Sequence, residues 1–273
     1  MLSNRHFDFH ALRSSASRPV RWLLWSTLLM ICPLAGKAQS QPQIDANPTG
    51  YALLYTGPIS DPDSNEAIAA VVKQAGLPVV YLDNLSELPA KLAGARLFII
   101  GGTEDDVEPL VHRFTPAIAG ALKRYLSQGG RYLGICGGAF VASLGWADEG
   151  NYVKALGLVP AESDDYDCDF SPKIHDIRWL GEVRRMYYQA GPTFALQPGT
   201  EPVRELAYFD DGRIAALIGA YGKGKVAVSG PHPEAPASWK ANAQDGDTME
   251  SNIHLAVQLV QELLSDRPVL TPR

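Results

Sequence analysis

The sequence predicts an α/β domain built on a doubly wound, mostly parallel sheet, with a more antiparallel C-terminal part. Three observations carry this prediction. Up to about residue 157, short apolar runs alternate with segments of helical spacing, the pattern of a parallel sheet covered by helices on both faces. After Gly157 the helical spacing gives way to shorter, strand-like runs that read as antiparallel. Between the two regions, Gly134-Ile135-Cys136-Gly137-Gly138 separates an apolar run from a helix-compatible one, as a tight strand-to-helix turn would.

The elements follow in order. Residues 51–56 are apolar and β-prone. Residues 62–76 place Ala67, Ile68, Val71, Val72 and Ala75 at helical spacing and end at a glycine, a common helix stop. Strands are expected over 77–82 and 95–100, the second ending at Gly101-Gly102. A long helix is expected over 107–128, stopped by Gly129-Gly130. Thr103-x-x-Asp106 is its candidate cap, while Pro109 and Pro116 move its true start later. Residues 131–135 then enter the turn at Cys136. Beyond it, strands are expected over 173–179, 182–188, 203–209, 213–221 and 225–229, and a closing helix over 249–264. Gly222-Lys223-Gly224-Lys225 lacks the spacing of a phosphate-binding loop and reads as a hairpin turn. In sheets of this kind ligands bind at the carboxyl ends of the strands, where Gly102, Cys136 and His232 all fall.

The chemistry concentrates on those positions. A cysteine in G-x-C-x-G is the thiol form of a nucleophile elbow: the turn strains the backbone, so Gly134 and Gly138, two residues either side, must be small. A helix starting at the sulfur favours thiolate over thiol. The competing reading is a glycine-rich turn with an idle cysteine. His232 follows an expected strand and is flanked by Pro231 and Pro233, which stiffen its loop. Glu234, two residues on, can accept the imidazole's other N–H and fix its tautomer. A lone histidine in a proline-rich loop would read as a surface turn; the order Cys, His, Glu changes that reading.

On these residues the chain resembles the class I glutamine amidotransferase-like superfamily, which uses a Cys–His–Glu triad with an H-x-E pair. Within it, the chain is most similar to the N-terminal domain of biotin–protein ligases and its stand-alone relatives. The matching segments are Leu54-Tyr55-Thr56-Gly57-Pro58, Ile100-Gly101-Gly102, the Cys136 elbow, and Gly222-Lys223-Gly224-Lys225 running into Ser229-Gly230-Pro231-His232-Pro233-Glu234. Tyr188-Gln189-Ala190-Gly191-Pro192 is a weaker match, and together the segments span residues 50–240. The resemblance implies a flavodoxin-like fold, a catalytic set of Cys136, His232 and Glu234, and oxyanion donors in the backbone amides of Gly102 and Gly137. Such ligases carry a separate ligase domain, and this chain is expected to end in a single helix and a short tail, so biotinylation is not expected. No cofactor or metal is expected.

The N-terminus carries an address. Residues 1–38 hold Arg5, Arg13, Arg18 and Arg21, then an apolar stretch from Trp22 to Cys32, and end at Gly36-Lys37-Ala38. This reads as a secretory signal, with an apolar core too short to span a bilayer comfortably. An uncleaved anchor is the alternative. No twin-arginine pair is present, and Ile31 before Cys32 argues against lipidation. Residues 39–49 read as a flexible lead-in, 50–265 as one domain and 266–273 as a tail. Of 24 basic and 30 acidic residues the signal removes five and one, leaving 19 against 29 and a net charge of −10. That balance argues against nucleic acid and anionic lipid as partners. A periplasmic or secreted protein with no stable membrane anchor is expected. Its oligomeric state is not encoded in any motif.

Two cysteines remain after cleavage, Cys136 and Cys168. In an oxidising compartment a pair reads first as a disulfide. The elbow favours a free thiol at Cys136, with a reversible Cys136–Cys168 bridge as the minor alternative. Asp165, Asp167 and Asp169 alternate like a calcium loop, but Phe170 stands where glycine is required and Lys173 intrudes, so a solvated acidic loop bordering the pocket is expected. His112 is placed on a helix surface and His175 in a strand, while Trp146, Trp179, Tyr187 and Tyr188 are assigned to the core. The expected activity is cysteine-dependent hydrolysis of an amide, peptide or γ-glutamyl-type small substrate. A catalytically silent module binding a small molecule or a protein is the alternative.

Overall fold

A computed structural model of the chain describes residues 50–148, 150–198 and 202–269. The expected signal segment, the lead-in and the last four residues of the tail lie outside them. The first half runs β1 (Tyr51–Tyr55), α1 (Pro62–Gln74), β2 (Val79–Leu82), α2 (Leu88–Lys91), β3 (Ala95–Ile100), α3 (Glu108–Arg113), α4 (Pro116–Ser127), β4 (Arg131–Ile135) and α5 (Gly137–Ala142). The second half is β5 (Gly145–Asp148), β6 (Asn151–Lys154), β7 (Ala161–Asp165), β8 (Lys173–Trp179), β9 (Glu182–Tyr188), β10 (Pro192–Leu196), β11 (Val203–Tyr208), β12 (Ile214–Tyr221), β13 (Gly224–Ser229) and α6 (Ile253–Leu264).

One 11-stranded sheet has the order β2-β1-β3-β4-β13-β12-β11-β8-β9, with β10 joining β12 to β7. β2, β1, β3, β4 and β13 are parallel to one another. From β12 outward every pairing is antiparallel. The expected α/β architecture, parallel first and antiparallel after, is therefore the observed one. β1 shows why its sequence is apolar throughout. Ala52 and Leu54 face a core shared with α1 and α6, while Leu53 and Tyr55 face the core under α4 and α5. A strand buried on both faces has no polar side to alternate with.

Several boundaries differ from the expectation. The helix expected over 107–128 is two helices, α3 and α4, broken at Phe114-Thr115 because Pro116 excludes a helical residue before it. Thr115 caps α4 by accepting the Ile118 N–H, whereas the Thr103 hydroxyl donates to the Glu104 carbonyl and caps nothing. The strands β5, β6, β7 and β10 and the short α2 have no counterpart in the expected element list. The Gly222-Lys223 turn does join β12 to β13 as a hairpin, with Tyr221 opposite Gly224. At the far end of the sheet from the glycine-rich loops, the buried Lys225 Nζ donates to the carbonyls of Glu262 (3.0 Å) and Ser265 (2.8 Å), and Arg131 Nε donates to Leu263 O at 2.6 Å. These bonds bring charged donors to the carbonyls at the C-terminal end of α6. No helix among the described residues is long and apolar enough to cross a membrane.

Candidate active site

Cys136 joins the end of β4 to α5 with φ 52° and ψ −112°, a left-handed conformation that non-glycine residues avoid. Its backbone N–H donates to Ser229 O at 2.8 Å, so Cys136 is tied to the end of β13. A Cβ at Gly138 would lie 2.0 Å from Ile100 O, and one at Gly134 2.4 Å from Gly138 O, so both positions admit only glycine. The Tyr132 hydroxyl donates to Gly138 O at 2.7 Å and holds the turn from beneath.

His232 follows β13 and reaches the same place from the neighbouring strand. It is buried, and its Nδ1 lies 2.8 Å from Oε1 of Glu234, which is 1% exposed. Burial alone would lower the histidine's pKa. The Glu234 carboxylate and the Cys136 sulfur beside the ring outweigh it and raise the pKa to about 10. The backbone of His232 is fixed as well, its N–H donating to Tyr187 O at 2.9 Å. Cys136, His232, Gly102 and Gly137 all line one cavity of about 220 Å³ at the carboxyl ends of the parallel strands.

The two expected oxyanion donors differ in availability. The Gly137 N–H has no backbone partner among the described residues. The Gly102 N–H donates to Ser64 Oγ at 2.9 Å. Ser64 is buried and its hydroxyl is also 3.5 Å from Glu234 Oε1. One hydroxyl therefore links the glycine loop to the carboxylate that orients His232. Glu234 Oε2 is buried without a hydrogen-bond partner among the described residues.

Ser64, Gln189 and Trp239 carry no role in the sequence reading. The Cys136 thiol donates to the Gln189 carbonyl at 3.4 Å. Gln189 belongs to the Tyr188–Pro192 segment noted only as a weak match, and the geometry explains that segment. Ala190 takes a left-handed φ of 52°, and a Cβ on Gly191 would lie 2.0 Å from Gly230 O. Gly191 thus lets the loop pack directly on the strand end that leads to His232. Tyr187 is buried in a small core cluster with Ile174, Ala235 and Met249, as expected, and it also lines the cavity with Trp239, their ring centroids 4.8 Å apart. Trp179 and Tyr188 are core residues as expected, and Trp146 packs its ring on Phe140 at 5.2 Å.

The remaining polar groups have ordinary settings. Cys136 is buried, Cys168 is exposed, and both are free, so the alternative bridge is not formed. Asp167 and Asp169 hold Lys173 Nζ at 2.7 and 3.1 Å, which makes the acidic loop an ion-pair cluster. His112 lies exposed on α3, and His175 in β8 packs on Tyr188 with ring centroids 5.0 Å apart.

Comparison with solved structures identifies the architecture. A glutamine amidotransferase superposes with a TM-score of 0.53 at 17% identity, covering 77% of this chain and 98% of its own. PurLQS from Thermotoga maritima superposes with a TM-score of 0.55 at 16% identity, covering 78% and 99%. A second glutamine amidotransferase from Thermotoga maritima gives 0.53 at 12% identity, covering 79% and 96%. No protein-family model matches the chain, and no curated protein matches it in sequence. The chain has the class I glutamine amidotransferase-like fold.

Proposed function

We propose that this chain is an exported, amidotransferase-like cysteine hydrolase that cleaves a small amide, peptide or γ-glutamyl-type substrate with Cys136, His232 and Glu234. The observation that carries the reading is the strained, buried Cys136 beside the paired, buried His232–Glu234 at the base of a cavity. Glu234 orients His232 and balances its charge, and the proton of the Cys136 thiol passes to the imidazole. The thiolate attacks the acyl carbon, and the carbonyl electron pair moves onto oxygen. The Gly137 N–H receives that oxyanion, joined by the Gly102 N–H once Ser64 releases it. Collapse expels the amine with a proton from His232. Water, deprotonated by His232, then cleaves the thioester and restores the thiolate.

The finer resemblance, to the N-terminal domain of biotin–protein ligases, rests on the quoted motifs, and no ligase chemistry is proposed. Export rests on the composition of residues 1–38. Comparing the mass of the mature N-terminus with the full chain tests it.

The decisive experiment is iodoacetamide labelling against pH, with the modified site read by mass spectrometry. Rapid alkylation of Cys136 well below the ordinary thiol pKa of about 8.5, slowed by His232→Gln, is expected. Cys136→Ser should abolish amide turnover. Unchanged turnover in that variant defeats the mechanism. One observation favours a silent binding module: Gly102 N–H and the Cys136 thiol are both engaged by protein groups. An inert Cys136, with a ligand that raises Tm but is not turned over, is the result that supports that second reading.

A further inference from the structure

We propose that the amide taken by this site carries a positive charge close to its scissile bond, as in a conjugate of a diamine or of a basic amino acid. The inference rests on the hydrolase reading above and names its substrate class. Cys136 and His232 define the site, and the residues at its mouth set the sign of the field around it. Among the described residues, four carboxylates line the cavity, those of Asp61, Asp63, Glu104 and Asp105, and no lysine or arginine does. None of the four forms an ion pair among the described residues.

Asp61 has a structural role as well, since its Oδ1 accepts the Ser64 N–H at 2.6 Å and caps α1. Asp63, Glu104 and Asp105 are exposed and free to meet a ligand. The two loops that carry them are held in register. The Asp61 N–H donates to Gly102 O at 2.9 Å, and the Glu104 N–H to Ile59 O at 2.8 Å. The backbone segments that carry these carboxylates are thus tied to the Gly102 loop.

A second feature of the cavity points to the same ligand charge. Tyr187 and Trp239 form an aromatic wall, tilted at 60°, and Trp239 also stands 5.5 Å from the His232 ring. Aromatic faces attract ammonium groups, most strongly where water is excluded. Burial is the main reason the Tyr187 phenol is pushed up to about 12, with smaller contributions from the charges of Asp61, Cys136 and Asp63. A substrate with a free carboxylate near its scissile bond would meet these acids, and the one cation lining the cavity among the described residues, the His232 imidazolium, is already paired with Glu234. An ammonium group instead meets four carboxylates and two rings.

Charge-matched thiol reagents test the field without requiring turnover. In a Cys168→Ser background, Cys136 is modified with the trimethylammonioethyl or the sulfonatoethyl methanethiosulfonate, each rate divided by that reagent's rate with 2-mercaptoethanol. The thiolate attacks the sulfenyl sulfur, a disulfide forms and methanesulfinate leaves. The corrected cation-to-anion ratio is expected to exceed about tenfold. It should fall toward one at 1 M salt, where charges are screened beyond about 3 Å, and in the Asp63→Asn/Glu104→Gln/Asp105→Asn variant. The salt arm needs no variant to fold. A ratio at or below one overturns the proposal. A second arm compares lysyl, norleucyl and glutamyl 4-methylcoumaryl amides, with the lysyl amide expected to be favoured by at least tenfold in kcat/KM. Cys136-dependent turnover with no such preference removes the charge inference and leaves the hydrolase standing. No turnover, with Cys136 inert to both reagents, removes the hydrolase reading and the substrate class together.

Discussion

Cys136 is held at φ 52° and ψ −112° by a ladder bond on one side and two glycines that admit no side chain on the other. Such a conformation costs a non-glycine residue about 1–3 kcal/mol, which the surrounding elbow must supply. Cys136→Gly should therefore unfold at higher denaturant than Cys136→Ala, by about 1 kcal/mol, with both inactive. A less stable glycine variant would mean that the turn is not strained. The partner histidine makes a prediction about pH. Its folded pKa of about 10 lies above the ordinary value of 6.5, so the native state holds the proton more tightly than the unfolded chain. The stability this contributes is complete below about pH 6.5 and is lost as pH rises through about 10. Glu234→Gln should bring the imidazole titration, followed by NMR, down toward its ordinary range and flatten this part of the stability profile. An unshifted titration would remove Glu234 from its role. Ser64 is a positioning residue of the same group. Ser64→Ala leaves the buried Gly102 N–H without a partner and should cost about 1–3 kcal/mol in chemical denaturation, whereas no loss would show that the amide had found another acceptor.

At the scale of elements, the site is four strand ends brought level: β3 supplies the glycine loop, β4 the sulfur, β13 the histidine, and β9 leads into the Gln189 carbonyl. The β9–β10 loop reaches the others only because Gly191 lies flat on Gly230. Gly191→Ala should push this loop away and slow Cys136 alkylation several-fold, because both the Gln189 carbonyl and the Tyr187–His232 bridge are displaced with it. Labelling at the wild-type rate would show that the loop does not position the thiol. These contacts also mark where the sequence was readable and where it was not. β1, Leu97–Ile100 of β3 and Tyr132–Ile135 of β4 are buried on both faces and are written as apolar runs, and the elbow needs its glycines locally, so both are legible. β7 reads Ala-Glu-Ser-Asp-Asp because only Ala161 and Ser163 are buried; this short, polar strand has no apolar run to announce it. The roles of Ser64 and Gln189 were not legible for another reason. Ser64 works through a contact made 170 residues away in the chain, and Gln189 works through a backbone carbonyl that any residue would provide.

Among the described residues, the acid-lined cavity lies at the carboxyl ends of the parallel strands, and two buried cations lie at their other ends. These two, Lys225 and Arg131, from adjacent parallel strands, hold the last turn of α6 and so tie the C-terminal helix to the first half of the fold. Both are largely buried cations, and burial lowers the pKa of each, so their value lies in the carbonyls they satisfy. Lys225→Met keeps the apolar stem and removes only the donor. It should cost about 1–3 kcal/mol, seen as a lower urea midpoint, since the Glu262 and Ser265 carbonyls lose a charged partner. The site lies at the opposite ends of the strands, and rigid strands do not pass on the loss of a helix-terminal bond. The Cys136 labelling rate, measured below the unfolding transition, should therefore equal that of the wild type. A labelling rate that falls with the midpoint would show instead that α6 docking and the Cys136 turn share one cooperative unit.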